Sequence, residues 1–137
     1  MTPNTVLRWL PEGKRFVSTD STGHSVLMST PDENFGMKPS ELILSALAGC
    51  TSVDVVEILA KKKTPLSHLE VVVNAEQDSN PPWAFSKIHL LFRLKGSGLT
   101  EKNVQQAIEL SEEKYCSVAA SLRGFVEISS SFEILED

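Results

Sequence analysis

The chain has 137 residues, a formal charge of −5, a hydrophobic fraction of 41% and a charged fraction of 23%. This is the size of one ordinary domain, long enough to bury a core without disulfides or a structural metal, and it reads as a single domain over 1–137. The negative balance argues against a nucleic-acid partner, whose phosphates would call for a basic surface.

In chain order, Met1-Thr2-Pro3-Asn4 offers no basic start, apolar h-region or cleavage site, and no stretch approaches about 20 uninterrupted apolar residues. No membrane partner and a cytoplasmic location are expected, where a permanent disulfide is improbable. Short strands follow over 5–10, 15–19 and 24–29, separated by Pro11-Glu12-Gly13 and Asp20-Ser21-Thr22-Gly23, and together they predict a β-meander. The stretch from Thr30 to Lys38 reads as a loop that ends where Pro39 can take the first helical turn. From Ser40 to about Lys62 only Gly49 interrupts a run rich in Leu, Ile, Ala and Val, which predicts a helix roughly 34 Å long. Lys61-Lys62-Lys63 compensates the negative end of its dipole. Leu42, Ile43, Leu44, Ala46, Leu47 and Ala48 make its first half apolar nearly all round, so it should be buried on most faces.

Leu69, Val71, Val73 and Ala75 alternate with polar residues, as do Ile88, Leu90, Phe92 and Leu94, and later Val126, Ile128, Ser130, Phe132 and Ile134. These are one-sided strands of a sheet expected to be antiparallel. Between the last two, Thr100 caps a helix carrying Val104, Ala107, Ile108 and Ser111, and a shorter helix over 116–122 ends near Gly124. The order is β-β-β-α-β-β-α-α-β, an α+β fold. One sheet covers only one side of the long helix. A second copy would cover the rest, with Ala46, Ala48 and Gly49 permitting close approach.

The two cysteines carry the chemistry the sequence offers. Cys50 and Cys116 lie 66 positions apart, which excludes a CxxC redox loop and a short-spaced zinc site. A buried cysteine is often a small inert hydrophobe, so packing and reactivity both stand as readings. By local environment Cys116 is the better activated, at a predicted helix start beside Lys114. Cys50 has apolar neighbours that by themselves raise a thiol pKa, and Asp54 one turn on opposes its ionisation unless paired. His24, His68 and His89 lack metal-ligand spacing, and no nucleophile elbow, P-loop or dinucleotide fingerprint is present. Glu41 sits in the first turn of the long helix, a place for dipole compensation.

The stretch Pro39-Ser40-Glu41-Leu42-Ile43-Leu44-Ser45-Ala46-Leu47-Ala48-Gly49-Cys50-Thr51-Ser52-Val53-Asp54-Val55-Val56, with Leu110-Ser111-Glu112-Glu113-Lys114-Tyr115-Cys116-Ser117-Val118, resembles the OsmC/Ohr family of osmotically inducible and organic hydroperoxide resistance proteins. The resemblance implies an intertwined homodimer with long buried central helices and thiol-dependent reduction of organic hydroperoxides. Cys50 would be the peroxidatic residue and Cys116 the resolving one, paired as a disulfide and reduced by an external lipoyl-type dithiol, with no bound cofactor. It also implies an arginine that holds the peroxidatic sulfur and a glutamate that holds the arginine. Arg15 is the candidate for the first, with Arg8 second, and Glu41 for the second. Glu41 precedes Cys50 by nine positions, roughly 13 Å and half a revolution of helix, so it could act on that thiol only across a dimer interface. The block around Cys116 resembles a branch whose substrate is poorly defined. A reading from another class is a non-catalytic dimer that binds a small apolar ligand or senses redox state.

Overall fold

Turn chemistry shapes the N-terminal part of the computed structural model, which describes residues 1–136. Strands β1 (Val6–Leu10), β2 (Arg15–Thr19) and β3 (Ser25–Ser29) form an antiparallel meander in the order β1-β2-β3. The second turn is closed by Asp20, whose carboxylate accepts the backbone N–H groups of Thr22 (2.9 Å) and His24 (3.1 Å). The first turn uses Gly13 at φ +64°, a left-handed conformation that strains residues with a Cβ. A short 3-10 turn, Pro31–Glu33, leads toward helix α1 (Pro39–Lys61).

The chain divides into two compact units, residues 1–43 and Leu44 onward, so α1 begins in the first and runs through the second. The second unit holds the core. Its sheet has the order β4-β5-β6, with β4 (Leu66–Gln77), β5 (Phe85–Gly96) and β6 (Glu127–Ile134). Central strand β5 places Ile88, Leu90, Phe92 and Leu94 on one face, all fully buried. They stand in register with Ala75, Val73, Val71 and Leu69 on β4 and with Ile128, Ser130, Phe132 and Ile134 on β6. The opposite face is polar apart from the paired Val72 and Leu91. There Arg93 bridges Glu70 and Glu133, and His89 sits between Ser129 (2.7 Å) and Ser131 (2.8 Å).

The expected all-antiparallel sheet is corrected at β6, which pairs parallel to β5. Parallel neighbours need a crossover connection, and here it is built from helix α2 (Glu101–Leu110), a π turn (Ser111–Tyr115) and helix α3 (Ser117–Leu122). Thr100 caps α2 by accepting the Asn103 N–H at 3.2 Å. Gly124, at φ +94°, follows α3 in the left-handed conformation that ends it.

Helix α1 buries one stripe, Leu47, Thr51, Val55 and Leu59, spaced four apart. It is not covered on most faces within one chain: Ile43, Val53 and Val56 are 41%, 66% and 46% exposed. By length and mean hydropathy (1.8) it could also span a membrane, which the sequence reading did not expect. Its buried stripe nonetheless packs into the protein core with Val104, Ala107, Ile108 and Ala119 of the crossover.

Candidate active site

Helix α1 and the crossover meet at the two sulfurs. α1 supplies Cys50 and Thr51, the π turn ends at Cys116, and α3 opens with Ser117 and Val118. The π turn closes when Cys116 N–H donates to Ser111 C=O five residues back, at 2.7 Å. Both cysteines are free thiols; Cys116 is buried and Cys50 half-buried.

Each sulfur has its own set of donors. Cys116 Sγ caps α3 by accepting the Ala119 N–H at 3.3 Å, and the Thr51 hydroxyl lies 3.7 Å from it. That hydroxyl has one proton and also reaches the Leu47 carbonyl at 2.9 Å, so its hold on sulfur is the weaker one. Cys50 Sγ lies 3.9 Å from the Ser117 hydroxyl. Burial pushes the Cys50 thiol up, but the Cys116 side chain, the Val118 N–H, and the hydroxyl and N–H of Ser117 outweigh it and leave Cys50 below the ordinary thiol value. Burial and the donation to Cys50 push Cys116 the other way, against the Ala119 N–H and Thr51 hydroxyl. Within the pair, the hydrogen bonding therefore favours negative charge at Cys50 over Cys116.

This reverses the ranking that the local sequence suggested. The first two N–H groups of α3, those of Ser117 and Val118, serve Cys50 and the third, that of Ala119, serves Cys116, while the Lys114 ammonium sits over the Tyr115 ring, 5.9 Å from its centroid. The objection from Asp54 is also met, since its carboxylate accepts the Ser111 hydroxyl at 2.9 Å.

Arg15 and Glu41 lie in the first unit. Arg15 Nε pairs with Glu33 at 2.9 Å, and its guanidinium lies 5.4 Å from the Phe35 ring centroid. The Lys14 N–H and then Arg15 hold the Glu33 carboxyl below its usual value. Glu41 pairs with Lys38 at 3.4 Å, so Glu33 and not Glu41 holds Arg15 within this chain. The sequence reading missed Glu33. Its signal was an acidic 3-10 turn complementary to Lys14-Arg15, legible only once the meander's register is known. Arg8 lies on β1 opposite Val17.

Among the described residues no group of three or more His, Cys, Asp and Glu could hold a metal. A groove of about 280 Å³ lies on the polar face of the second sheet, lined by Glu76, Lys87, His89, Glu127 and Ser129 among others, away from both cysteines.

Comparison with known proteins agrees with this geometry. Residues 30–131 match the OsmC-like protein family. The chain is 36% identical over 129 residues to protein YhfA of Escherichia coli K12, covering 94% of this chain and 96% of that protein. A hypothetical protein from Aquifex aeolicus VF5 superposes with a TM-score of 0.84 at 28% identity, over 99% of each chain. The organic hydroperoxide resistance protein OhrB of Bacillus subtilis shares the fold, with a TM-score of 0.64 at 16% identity over 97% of this chain and 98% of that one. Two free cysteines meet at one site on this fold. The chain belongs to the OsmC family.

Proposed function

We propose that this protein is a cytoplasmic, homodimeric thiol peroxidase that reduces organic hydroperoxides through Cys50 and Cys116. The observation that carries the reading is the meeting of two free thiols at one site, where hydroxyl and backbone donors of α1 and α3 surround both sulfurs. A thiolate is the nucleophile that meets the peroxide, and a second thiol at the same site can condense with the sulfenic acid that forms.

In the first step the Cys50 thiolate attacks the terminal oxygen of a hydroperoxide ROOH. The O–O bond breaks, sulfur is oxidised to the sulfenic acid, and the leaving alkoxide takes a proton to become the alcohol ROH. The Cys116 thiol then attacks the Cys50 sulfur and displaces water, forming a disulfide. An external dithiol of the lipoyl type reduces that disulfide by two exchanges and becomes cyclic disulfide itself. Arg15 and Glu41 enter as supporting residues.

The homodimer has its own support. Exposed Ile43, Val53 and Val56 on α1 make an apolar face unlike an ordinary solvated helix surface. A Cβ on Gly49 would meet nothing within 4 Å in this chain, which leaves room for another helix to approach.

The test is consumption of cumene hydroperoxide with dihydrolipoamide as reductant. Wild type should turn over, Cys50→Ser should not, and oxidised wild type should contain a Cys50–Cys116 disulfide by peptide mass spectrometry. Arg15→Met should lower turnover at unchanged fold. No turnover and no thiol loss under peroxide would sink the peroxidase and leave a non-catalytic dimer that binds a small apolar ligand.

A further inference from the structure

The segment that carries Cys116 is a π turn, and its anchor is one residue, Ser111. Ser111 is fully buried and works at both ends of its peptide. Its carbonyl takes the Cys116 N–H at 2.7 Å, which closes the turn, and its hydroxyl points to α1, 3.0 Å from the Thr51 carbonyl and 2.9 Å from Asp54 Oδ2. The acceptors on α1 belong to residues one and four positions after Cys50. The hydroxyl has one proton, which the nearer and charged Asp54 acceptor takes over the Thr51 carbonyl, and that bond ties the turn to the helix that bears the other thiol.

A π turn adds one residue to the helical path, and such insertions occur frequently at functional sites. Without it, Cys116 and the residues that follow would shift by a residue around the helix axis. Something must hold the wider turn, because five-residue bonds are poorer than the α-helical ones they replace. A carboxylate acceptor supplies a charge-assisted bond, roughly twice as strong as a neutral one.

We infer that Asp54 and Ser111 are positioning residues for the thiol pair: their hydrogen bond fixes the π turn to α1 and so keeps Cys116, Ser117 and Val118 at the Cys50 sulfur. Asp54 touches neither sulfur and acts through Ser111. The charged groups beside it are Glu57 and Lys61, which line the same groove with Tyr115 and pair with each other at 3.4 Å. The inference rests on Cys50 being the reactive thiol, but not on peroxide turnover.

The experiment is the rate of Cys50 alkylation by iodoacetamide as a function of pH, read by peptide mass spectrometry, for wild type, Ser111→Ala, Asp54→Leu and Asp54→Asn. The fold of each is checked by circular dichroism. Ser111→Ala and Asp54→Leu should move the profile to higher pH and slow alkylation at pH 7 about fivefold, as expected for losing a thiolate's donors. Asp54→Asn keeps a side-chain acceptor and should stay within about twofold of wild type. A charge-only role predicts the opposite sign, since removing a nearby carboxylate eases thiol ionisation and both Asp54 variants would react faster. Faster alkylation in Asp54→Leu, or an unchanged profile in Ser111→Ala, would overturn the inference. Should Ser111→Ala fail to fold, the half-exposed Asp54 variants decide the matter alone. Because iodoacetamide replaces peroxide, a protein inactive as a peroxidase still gives a clear result.

Discussion

Replacing Cys116 separates two jobs that one sulfur performs. Its proton is given to Cys50, and its lone pair caps α3 by accepting the Ala119 N–H at 3.3 Å. Hydrogen bonds to charged groups contribute about 1.5–3 kcal/mol, and a thiol is a weak donor, so about 1 kcal/mol of Cys50 thiolate stabilisation is lost in Cys116→Ala. That corresponds to roughly a fivefold fall in thiolate, and in bimane alkylation rate, at pH 7. Loss of the cap lowers stability by about 0.5–1 kcal/mol in urea unfolding, the low end for a capping residue because sulfur is a poor acceptor. Cys116→Ser keeps a hydroxyl donor and a favoured cap, so it should retain both rate and stability while losing disulfide formation. Stopped-flow alkylation between about pH 5 and 9 spans the range in which a perturbed thiol titrates. If Cys50 in Cys116→Ala reacts as fast as in wild type, the shared proton is not what acidifies it and the assignment of roles in this pair is wrong.

Three other expectations concern the frame around the site. Leu47→Ala, at a fully buried position on α1, should cost about 2–5 kcal/mol in urea denaturation; a loss under about 1 kcal/mol would mean the core collapses around the gap. Val53→Asp alters an exposed position in one chain and should leave its fold intact, yet it should dissociate the proposed dimer in size-exclusion chromatography with light scattering. An unchanged dimer mass would put the interface elsewhere. Burial holds the Glu112 carboxyl above its ordinary value, against a hydrogen bond from Ser130. A raised acid destabilises the fold where it is ionised, so Glu112→Gln should be the more stable at pH 7. The difference should shrink as the pH falls through the raised value and vanish below the ordinary carboxylate range.

Most of the architecture could be read from the residues because its signals are local. Gly13 and Gly23 mark the meander's turns, Thr100 caps α2, and Gly124 ends α3 within a residue or two of expectation. What escaped the reading depends on relations across the chain. The alternation of Ile128, Phe132 and Ile134 is the same whether β6 runs with or against β5, so direction waits on the crossover's length and path. The π turn is hidden because Val104, Ala107, Ile108 and Ser111 keep ordinary helical spacing up to its first residue. The thiol ranking is not local either: the sequence predicts a helix start at Cys116, and which sulfur each of its N–H groups meets is set by packing against α1. Glu33 was passed over because its link to Arg15 joins residues 18 apart.

The parallel pairing of β6 bears on when Cys50 becomes acidified. Every group that acidifies Cys50 lies on the crossover between β5 and β6, after residue 110. During synthesis the first 110 residues can emerge while Cys50 is still an ordinary thiol, little ionised at neutral pH. Contacts between positions this far apart in sequence form late and slowly. The proposed nucleophile is thus armed by completion of the fold, and a nascent or partly unfolded chain presents oxidants with no more than a commonplace cysteine.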